Sequence, residues 1–490
     1  MRILLILTIA MCSLLGTARA DNIDSMLMAR QTMFDRFSSK YPRERVYLHF
    51  DNTSYYKGEQ IWYKAYVVND DDFRATDVSR ILYVELLNPL GYPIETQKLK
   101  IEDGQARGAF LLNDTINAGF YEVRAYTQWM LNFASGDKHG WRRLHGRDIR
   151  FHYGPRFQHY LKGNASVFSR VFPVYEQVDS GQYHKKLIPQ QAKATSQLVM
   201  SERDKLMIDF YPEGGNMVHG ISTRVAYQAH NAAGRTLNVA GALVRRGDSI
   251  GYFKTDYAGR GVFHVTPEEV DDDELLADGL KLKLTYNGKN YTFKLPKSKR
   301  KGYVLNVFSN GNQVKTIVSR NDKTDGRKLG LSITCRGRSQ YFDMLDLRQM
   351  RKAHVVLDKS SLTTGVNIVT LFDEDGKTLA QRMIFVDNGD MKGYNLQTRL
   401  DTAEVAPYDK VGVRFQLADA DGKPVAEEQT FSVSVTDDNT RERTYDTGNI
   451  LSGLLLSSEV KGFIPHPAYY FEADDAEHRN ALDMLMMVQG

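Results

Sequence analysis

Cysteine is nearly absent from this chain of 490 residues, which carries Cys12 and Cys335 and no others. If Cys12 leaves with a leader, Cys335 stands alone. That excludes an intrachain disulfide and any zinc site built on cysteine pairs. Net charge is also lacking. The formal +4 falls to about +2 once Arg2 and Arg19 are removed, so no global field argues for a nucleic-acid partner. Beyond residue 20 no apolar run approaches the roughly 20 residues of a membrane-spanning helix. What remains is turn-rich: 13 Pro, 38 Gly and 27 Tyr at modest hydrophobicity fit β structure better than a helical bundle. At this length roughly three to four domains are expected, each held by packing alone.

The N-terminus, MRILLILTIAMCSLLGTARA, has a basic residue, an apolar run from Ile3 to Leu15 and the small-residue pattern Ala18-Arg19-Ala20. It predicts a signal peptide over 1–20, cut after Ala20, and hence an exported protein. Met11 is too bulky before Cys12 for lipoprotein cleavage, which argues against a lipid anchor. Residues 21–40 place Ile23, Met26, Leu27, Met33, Phe34 and Phe37 on one helical stripe, with Arg30 the polar exception. An amphipathic helix is expected there.

The stretch RERVYLHFDNTSYYKGEQIWYKAYVV (43–68) sets the grammar of the rest: a strand-like run, a polar break, a Lys57-Gly58-Glu59 turn and an aromatic strand-like run. A tetrad [Asn/Asp]-x-x-Gly, with an aliphatic residue three positions on, then recurs. Its copies are 88–91 with Ile94, 231–234 with Leu237, 373–376 with Leu379 and 419–422 with Val425. The Gly can take positive φ where a hairpin reverses, and the Asn or Asp can bond to the turn backbone. Strands before the tetrads alternate. Val225, Tyr227 and Ala229 should face inward, and so should Val411, Val413, Phe415 and Leu417. Period-2 alternation with turns every ten residues or so predicts tandem antiparallel β-sandwiches.

Composition divides the chain into sandwich 1 (41–153), a connector (154–203), sandwich 2 (204–297), sandwich 3 (303–389) and a partial sandwich 4 (392–440). The basic run PKSKRKG (296–302) links the second and third sandwiches. A helical tail occupies 441–490, with helices over 449–462 and 474–490, and truncation of a longer protein is left open.

YYKGEQIWYKAY, FYPEGGNMVHGISTRVAYQA, TDYAGRGVFHVTP and FSVSVTDDN together resemble the macroglobulin domains of the alpha-macroglobulin family, in its Gram-negative envelope branch. The likeness runs on through LLLSSEVKGFIPHPAYYF and ALDMLMMVQG, and so covers nearly all of the mature chain. It implies a mainly β fold of tandem macroglobulin-like (fibronectin-III-like) sandwiches, in the periplasm or at the outer membrane. Longer members of the branch continue further, some into a plug-like domain of TonB-dependent receptors. Trapping members carry a Cys-Gly-Glu-Gln thioester that acylates a captured protease. Here Cys335 sits in ITCRGRS and no thioester domain is present, so covalent capture is not expected.

Several motifs invite chemistry and are better explained without it. Gly247-Asp248-Ser249-Ile250-Gly251 matches the nucleophile elbow, but strand-like flanks on both sides predict a hairpin turn, with the overlapping RGDS (246–249) in the same loop. His139, His145, His152 and His159 step by six, seven and seven; imidazole binds Zn²⁺ or Cu²⁺ readily, but the steps of seven put neighbours on opposite faces of a strand, so structural or surface histidines are the favoured reading. Asp70-Asp71-Asp72 and Asp271-Asp272-Asp273-Glu274 fit no EF-hand loop and read as charged hairpin tips. No cofactor, metal or catalytic residue is expected. The segment 138–162 interleaves basic and aromatic groups, and Trp141, Arg142, Arg143, Arg147 and Arg150 are its candidate contacts to an acidic glycan. A solvated connector whose aromatics pack between domains is the simpler explanation. Two functions follow: a non-enzymatic envelope protein that binds a protein partner, a peptidase or an outer-membrane receptor, or a glycan-binding or glycan-processing protein using 138–162.

Overall fold

The computed structural model describes residues 22–89, 91–133, 167–176, 205–231, 235–268, 279–390, 394–419, 421–426, 428–436, 448–460 and 464–489. Within them the chain is mainly antiparallel β. Unit 1 contains β1 (Glu44–Phe50), β2 (Tyr55–Tyr56), β3 (Gln60–Asn69), β4 (Ile81–Leu87), β5 (Pro93–Lys100), β6 (Gln105–Leu111), β7 (Gly119–Tyr126) and β8 (Phe168–Tyr175). One sheet runs β1-β3-β6 and the facing sheet runs β2-β8-β7-β4-β5. The alternating residues Leu48, Ile61 and Phe110 of the first meet Leu82, Val123 and Phe172 of the second in one buried core. Phe50 and Phe172 meet edge to face across it at 4.6 Å. Strand β8 lies inside the stretch read from sequence as a connector, so that reading is corrected. Phe172 and Val174 complete the core, and β8 pairs along β7 from Gly119↔Val174 to Ala125↔Phe168.

Unit 2 contains β9 (Leu206–Pro212), β10 (Thr223–Asn231), β11 (Ala240–Arg245), β12 (Asp248–Lys254), β13 (Arg260–Val265), β14 (Leu280–Tyr286) and β15 (Lys289–Lys294). Its sheets are β13-β10-β9 and β12-β11-β14-β15. Val225, Tyr227 and Ala229 point into the core against Leu243, Phe253 and Leu282, as their alternation predicts. Unit 3 contains β16 (Tyr303–Asn310), β17 (Gln313–Arg320), β18 (Lys328–Cys335), β19 (Arg338–Asp346), β20 (Lys352–Asp358), β21 (Gly365–Phe372) and β22 (Thr378–Val386), in sheets β16-β17-β20 and β19-β18-β21-β22.

The tetrads work by one local mechanism. Asn88 Oδ1 accepts from the N–H of Tyr92, Asn231 Oδ1 from Arg235, Asp373 Oδ1 from Lys377 and Asp419 Oδ1 from Lys423. Gly91, Gly376 and Gly422 take φ of 81°, 80° and 80°, the left-handed conformation that a Cβ penalises.

Two expectations fail. A helix over 22–40, α1, is present, but of its apolar stripe Leu27 is buried while Met33, Phe34 and Phe37 are exposed. The helix docks on unit 3 largely through polar contacts instead: Asp24 meets Lys328 at 2.7 Å and Gln31 donates to Ser339 at 2.8 Å. The fourth sandwich is a two-stranded ribbon, β23 (Tyr394–Leu400) with β24 (Val413–Asp419). Val411 and Val413 are exposed, and Phe415 and Leu417 are half-buried, because no second sheet among the described residues covers them.

The tail packs back across the units. Asn449 caps α2 (Ile450–Ser452), which continues as a wider π turn over Gly453–Ser457. Asp475 caps α3 (Ala476–Val488) by accepting from the N–H of His478. Leu482, Leu485 and Met486 of α3 share a core with Val366 of unit 3, while Met487 and Val488 pack on Ala226 of unit 2.

Candidate functional site: an exposed apolar ribbon on a locked scaffold

Two buried charge networks fix the tail to the sandwiches. In the first, β1 contributes Arg45, whose Nε donates to Asp70 Oδ1 at 2.9 Å and whose terminal nitrogens reach Ser458 O and Glu459 Oε1. Arg43 Nε adds a bond to Asp70 Oδ2 at 2.7 Å. Burial opposes ionisation of Asp70, yet Arg45 and Arg43 outweigh it and hold the carboxyl below its ordinary range. Glu459, a little less buried and shared less fully, is pushed up by desolvation. Asp70 is therefore no charged hairpin tip. It is 1% exposed, because Arg45 of β1 and Arg43 just before that strand both present guanidinium groups to it.

The second network joins units 2 and 3 to α3. Arg382 of β22 donates to Glu213 Oε1 at 3.0 Å and also bonds Asp483 Oδ1. Arg224 of β10 bridges the same two carboxylates, at 3.4 and 2.5 Å. Desolvation raises the Glu213 carboxyl, and its Oε2 has no hydrogen-bond partner among the described residues. Asp483 is lowered, since Arg382 and Arg224 overcome its burial. Arg260 donates to the Tyr470 hydroxyl at 2.8 Å, and Tyr257 stacks on Tyr469 at 3.7 Å. Such networks contribute geometry more than net stability, because desolvating each charge offsets most of the attraction.

On this scaffold the ribbon is the anomaly. The register pairs Leu396↔Leu417, Thr398↔Phe415 and Leu400↔Val413, so these residues share one face. The opposite face carries Gln397↔Gln416 and Arg399↔Arg414. The apolar face is open to water: Leu396 is 45% exposed, Leu400 53% and Val413 44%. Tyr408, at the tip between the strands, is fully exposed. An isolated two-stranded hairpin is marginal in water, and a contiguous exposed apolar face marks an interaction surface. The segment 428–436 runs beside it with no ladder pairing. Phe431 meets Phe415 edge to face at 5.7 Å. Ser432 Oγ lies 2.6 Å from His49 Nδ1 and 2.8 Å from the Tyr66 hydroxyl, tying the segment to unit 1. Val433 and Val435 remain exposed.

The sequence candidates fall elsewhere. Trp141, Arg142, Arg143, Arg147 and Arg150, the histidines at 139, 145, 152 and 159, and the acidic run 271–274 all lie outside the described residues. Gly247–Gly251 is a hairpin, as expected: Arg246 and Gly247 turn the chain with positive φ, and Ser249 pairs with Val244 in the ladder. Cys335 is buried at the end of β18, and desolvation pushes its thiol up to about 12. A thiol so placed is a poor nucleophile. Among the described residues no cluster of His, Cys, Asp and Glu is arranged to hold a metal, and no helix is long and apolar enough to cross a membrane. Sequence reasoning missed the ribbon as a site because its alternation reads as core.

No protein-family model matches the chain, and no curated protein matches it significantly. Among solved structures, an Escherichia coli alpha-2-macroglobulin activated by porcine elastase is similar at 10% identity, over 78% of this chain and 34% of that one, with a TM-score of 0.24. A Salmonella alpha-2-macroglobulin reacted with methylamine gives 12% identity, 76% and 25% coverage, and a TM-score of 0.19. The dimeric latent PorU of Porphyromonas gingivalis gives 9% identity, 70% and 34% coverage, and a TM-score of 0.27. The chain thus spans about a third or less of the length of these proteins. Overlaps of this size carry no argument. The architecture itself rests on the sheet ladders described above.

Proposed function

We propose that this is an exported, non-enzymatic protein of a Gram-negative cell envelope that binds a partner protein through the ribbon β23–β24. The observation that carries the reading is the apolar face of Leu396, Leu400, Val413, Phe415 and Leu417, which lacks a covering sheet among the described residues. A partner that lays strands on that face would bury each aliphatic side chain for roughly 1.5–3 kcal/mol and would complete a sandwich. The leader-like N-terminus supports export. The family resemblance suggests the finer form: holding a peptidase without acyl capture, or standing beside TonB-dependent uptake machinery. Binding would be non-covalent, because the one thiol outside the leader is buried and lies in no Cys-Gly-Glu-Gln sequence.

The test compares two variants of the full chain, purified after crosslinking in intact cells of its source. Leu396→Lys with Leu400→Lys should lose a discrete partner protein, while Gln397→Lys with Gln416→Lys on the opposite face should keep it. Identical partner profiles for both variants and wild type would overturn the proposal.

A further inference from the structure

In unit 2 the sheet β12-β11-β14-β15 splays at one end. Strand β11 stays paired to β12 as far as Ala240↔Lys254, but its ladder with β14 ends at Ala242↔Lys283. Beyond that point β14 continues against β15 alone, to Tyr286↔Lys289. A trough of about 860 Å³, open on one side, occupies the divergence. Ala240 and Ala242 face it with small side chains that leave the space unfilled, while Gly241 between them turns toward Phe253 and Leu284 on the core side. Gly241 is required there, since a Cβ would lie 2.3 Å from the Lys283 carbonyl oxygen. Tyr252 and Lys254 line one side and Thr285 the other, with Asp256 also in the lining.

The chemistry of the surrounding face is one-sided. Residues directly opposite in an antiparallel ladder share a face. The pairs Ala240↔Lys254, Ala242↔Tyr252, Ala242↔Lys283, Lys283↔Thr292 and Lys281↔Lys294 therefore put four lysines and one tyrosine on the trough side. No Asp or Glu occupies a strand position on that side. Tyr252 is 86% exposed, so its ring is open to a ligand on a rigid strand rather than a loop. Such a site suits a ligand that is anionic, rich in hydroxyl groups and flat on one side. Carboxylates would meet Lys254 and Lys283, hydroxyls would meet Asp256 and Thr285, and the C–H face of a sugar would lie on Tyr252.

We propose that this trough is a binding site for a short stretch of acidic, uronate-bearing polysaccharide. Its volume falls in the about 300–1,000 Å³ range of small-molecule sites, and its shallow, open form leaves room for a linear chain laid across it. The site is separate from the ribbon, so the two can fail independently.

The test titrates tetragalacturonate into the full chain by calorimetry. Wild type should bind, more weakly as salt rises, and a neutral galactose tetramer should not. Lys254→Glu with Lys283→Glu should weaken binding by about tenfold or more, as reversed contacts across an interface do. Tyr252→Ala should weaken it several-fold, with the unfolding temperature unchanged in both variants because all three side chains are exposed. Alanine at Arg142, Arg143, Arg147 and Arg150 should leave binding intact. Absence of binding, or loss only in that arginine variant, would overturn the proposal. So would binding to phosphatidylglycerol vesicles through the same lysines without binding to the tetramer.

Discussion

Arg382→Met tests how the tail is held. The guanidinium is 2% exposed and faces Glu213 at 3.0 Å and Asp483 on α3. Methionine keeps most of the stem and removes the charge. Glu213 is then left with Arg224 at 3.4 Å and the Val307 N–H at 3.2 Å, and its Oε2 already lacks a partner among the described residues. Removing one member of a buried charge network costs about 3–5 kcal/mol, because the remaining charge is neither solvated nor paired. For a sandwich of about 90 residues each kcal/mol lowers the midpoint by roughly 4–8 °C, so a fall of about 12–40 °C is expected by calorimetry. Limited proteolysis should release α3 early in the same variant. Adding Glu213→Gln to Arg382→Met should recover part of the loss, since no lone buried carboxylate then remains. A shift of less than about 2 °C, with α3 as protected as in wild type, would refute the reasoning.

The carboxyls in that network titrate in opposite senses. Asp483 lies below its ordinary 3.8, so its contribution is present above that pH and is lost as pH falls through its lowered value. Glu213 lies above its ordinary 4.5, so its contribution is present below that pH and is lost as pH rises through its raised value. Urea midpoints across pH should therefore show Asp483→Asn flattening the acid limb and Glu213→Gln removing a decline above 4.5. Cys335 should resist thiol reagents in the folded protein and react on unfolding, and no boiling-stable adduct should form with any protease. Leu48→Ala, in the core of unit 1, should cost about 2–5 kcal/mol, while Phe415→Ala on the half-open ribbon should cost far less. If the leader is cleaved, N-terminal sequencing of the protein from its source should begin at Asp21.

Local chemistry was legible in the sequence, and long-range cover was not. The tetrads could be read because Asn88, Asp373 and Asp419 bond to a backbone four residues away, and glycine supplies the turn whatever surrounds it. The hairpin at Arg246-Gly247 was legible for the same reason. Strand β8 was not, because Phe168–Tyr175 becomes a strand by pairing with β7 and with β2, across more than a hundred residues in the latter case. Asp70 looked like part of an exposed acidic run because its partners, Arg45 of β1 and Arg43 just before it, lie more than twenty residues away in the sequence. Alternation at Val413, Phe415 and Leu417 correctly reported a two-sided strand, but it cannot report whether a second sheet lies on the apolar side. The trough had a signal in the alternating lysines of KLKLTY (281–286), but the splay that opens it depends on where two ladders end.

The most direct measurement places a photoactivatable amino acid on the ribbon in intact cells of the source. At Leu396, Leu400 and Val413 the account predicts crosslinks to one discrete protein, with the adducts mapped by mass spectrometry to a β-strand of that partner. At Gln397, Arg399 and Gln416, on the opposite face, it predicts none. Crosslinks distributed equally over both faces, or none at the apolar positions, would contradict it.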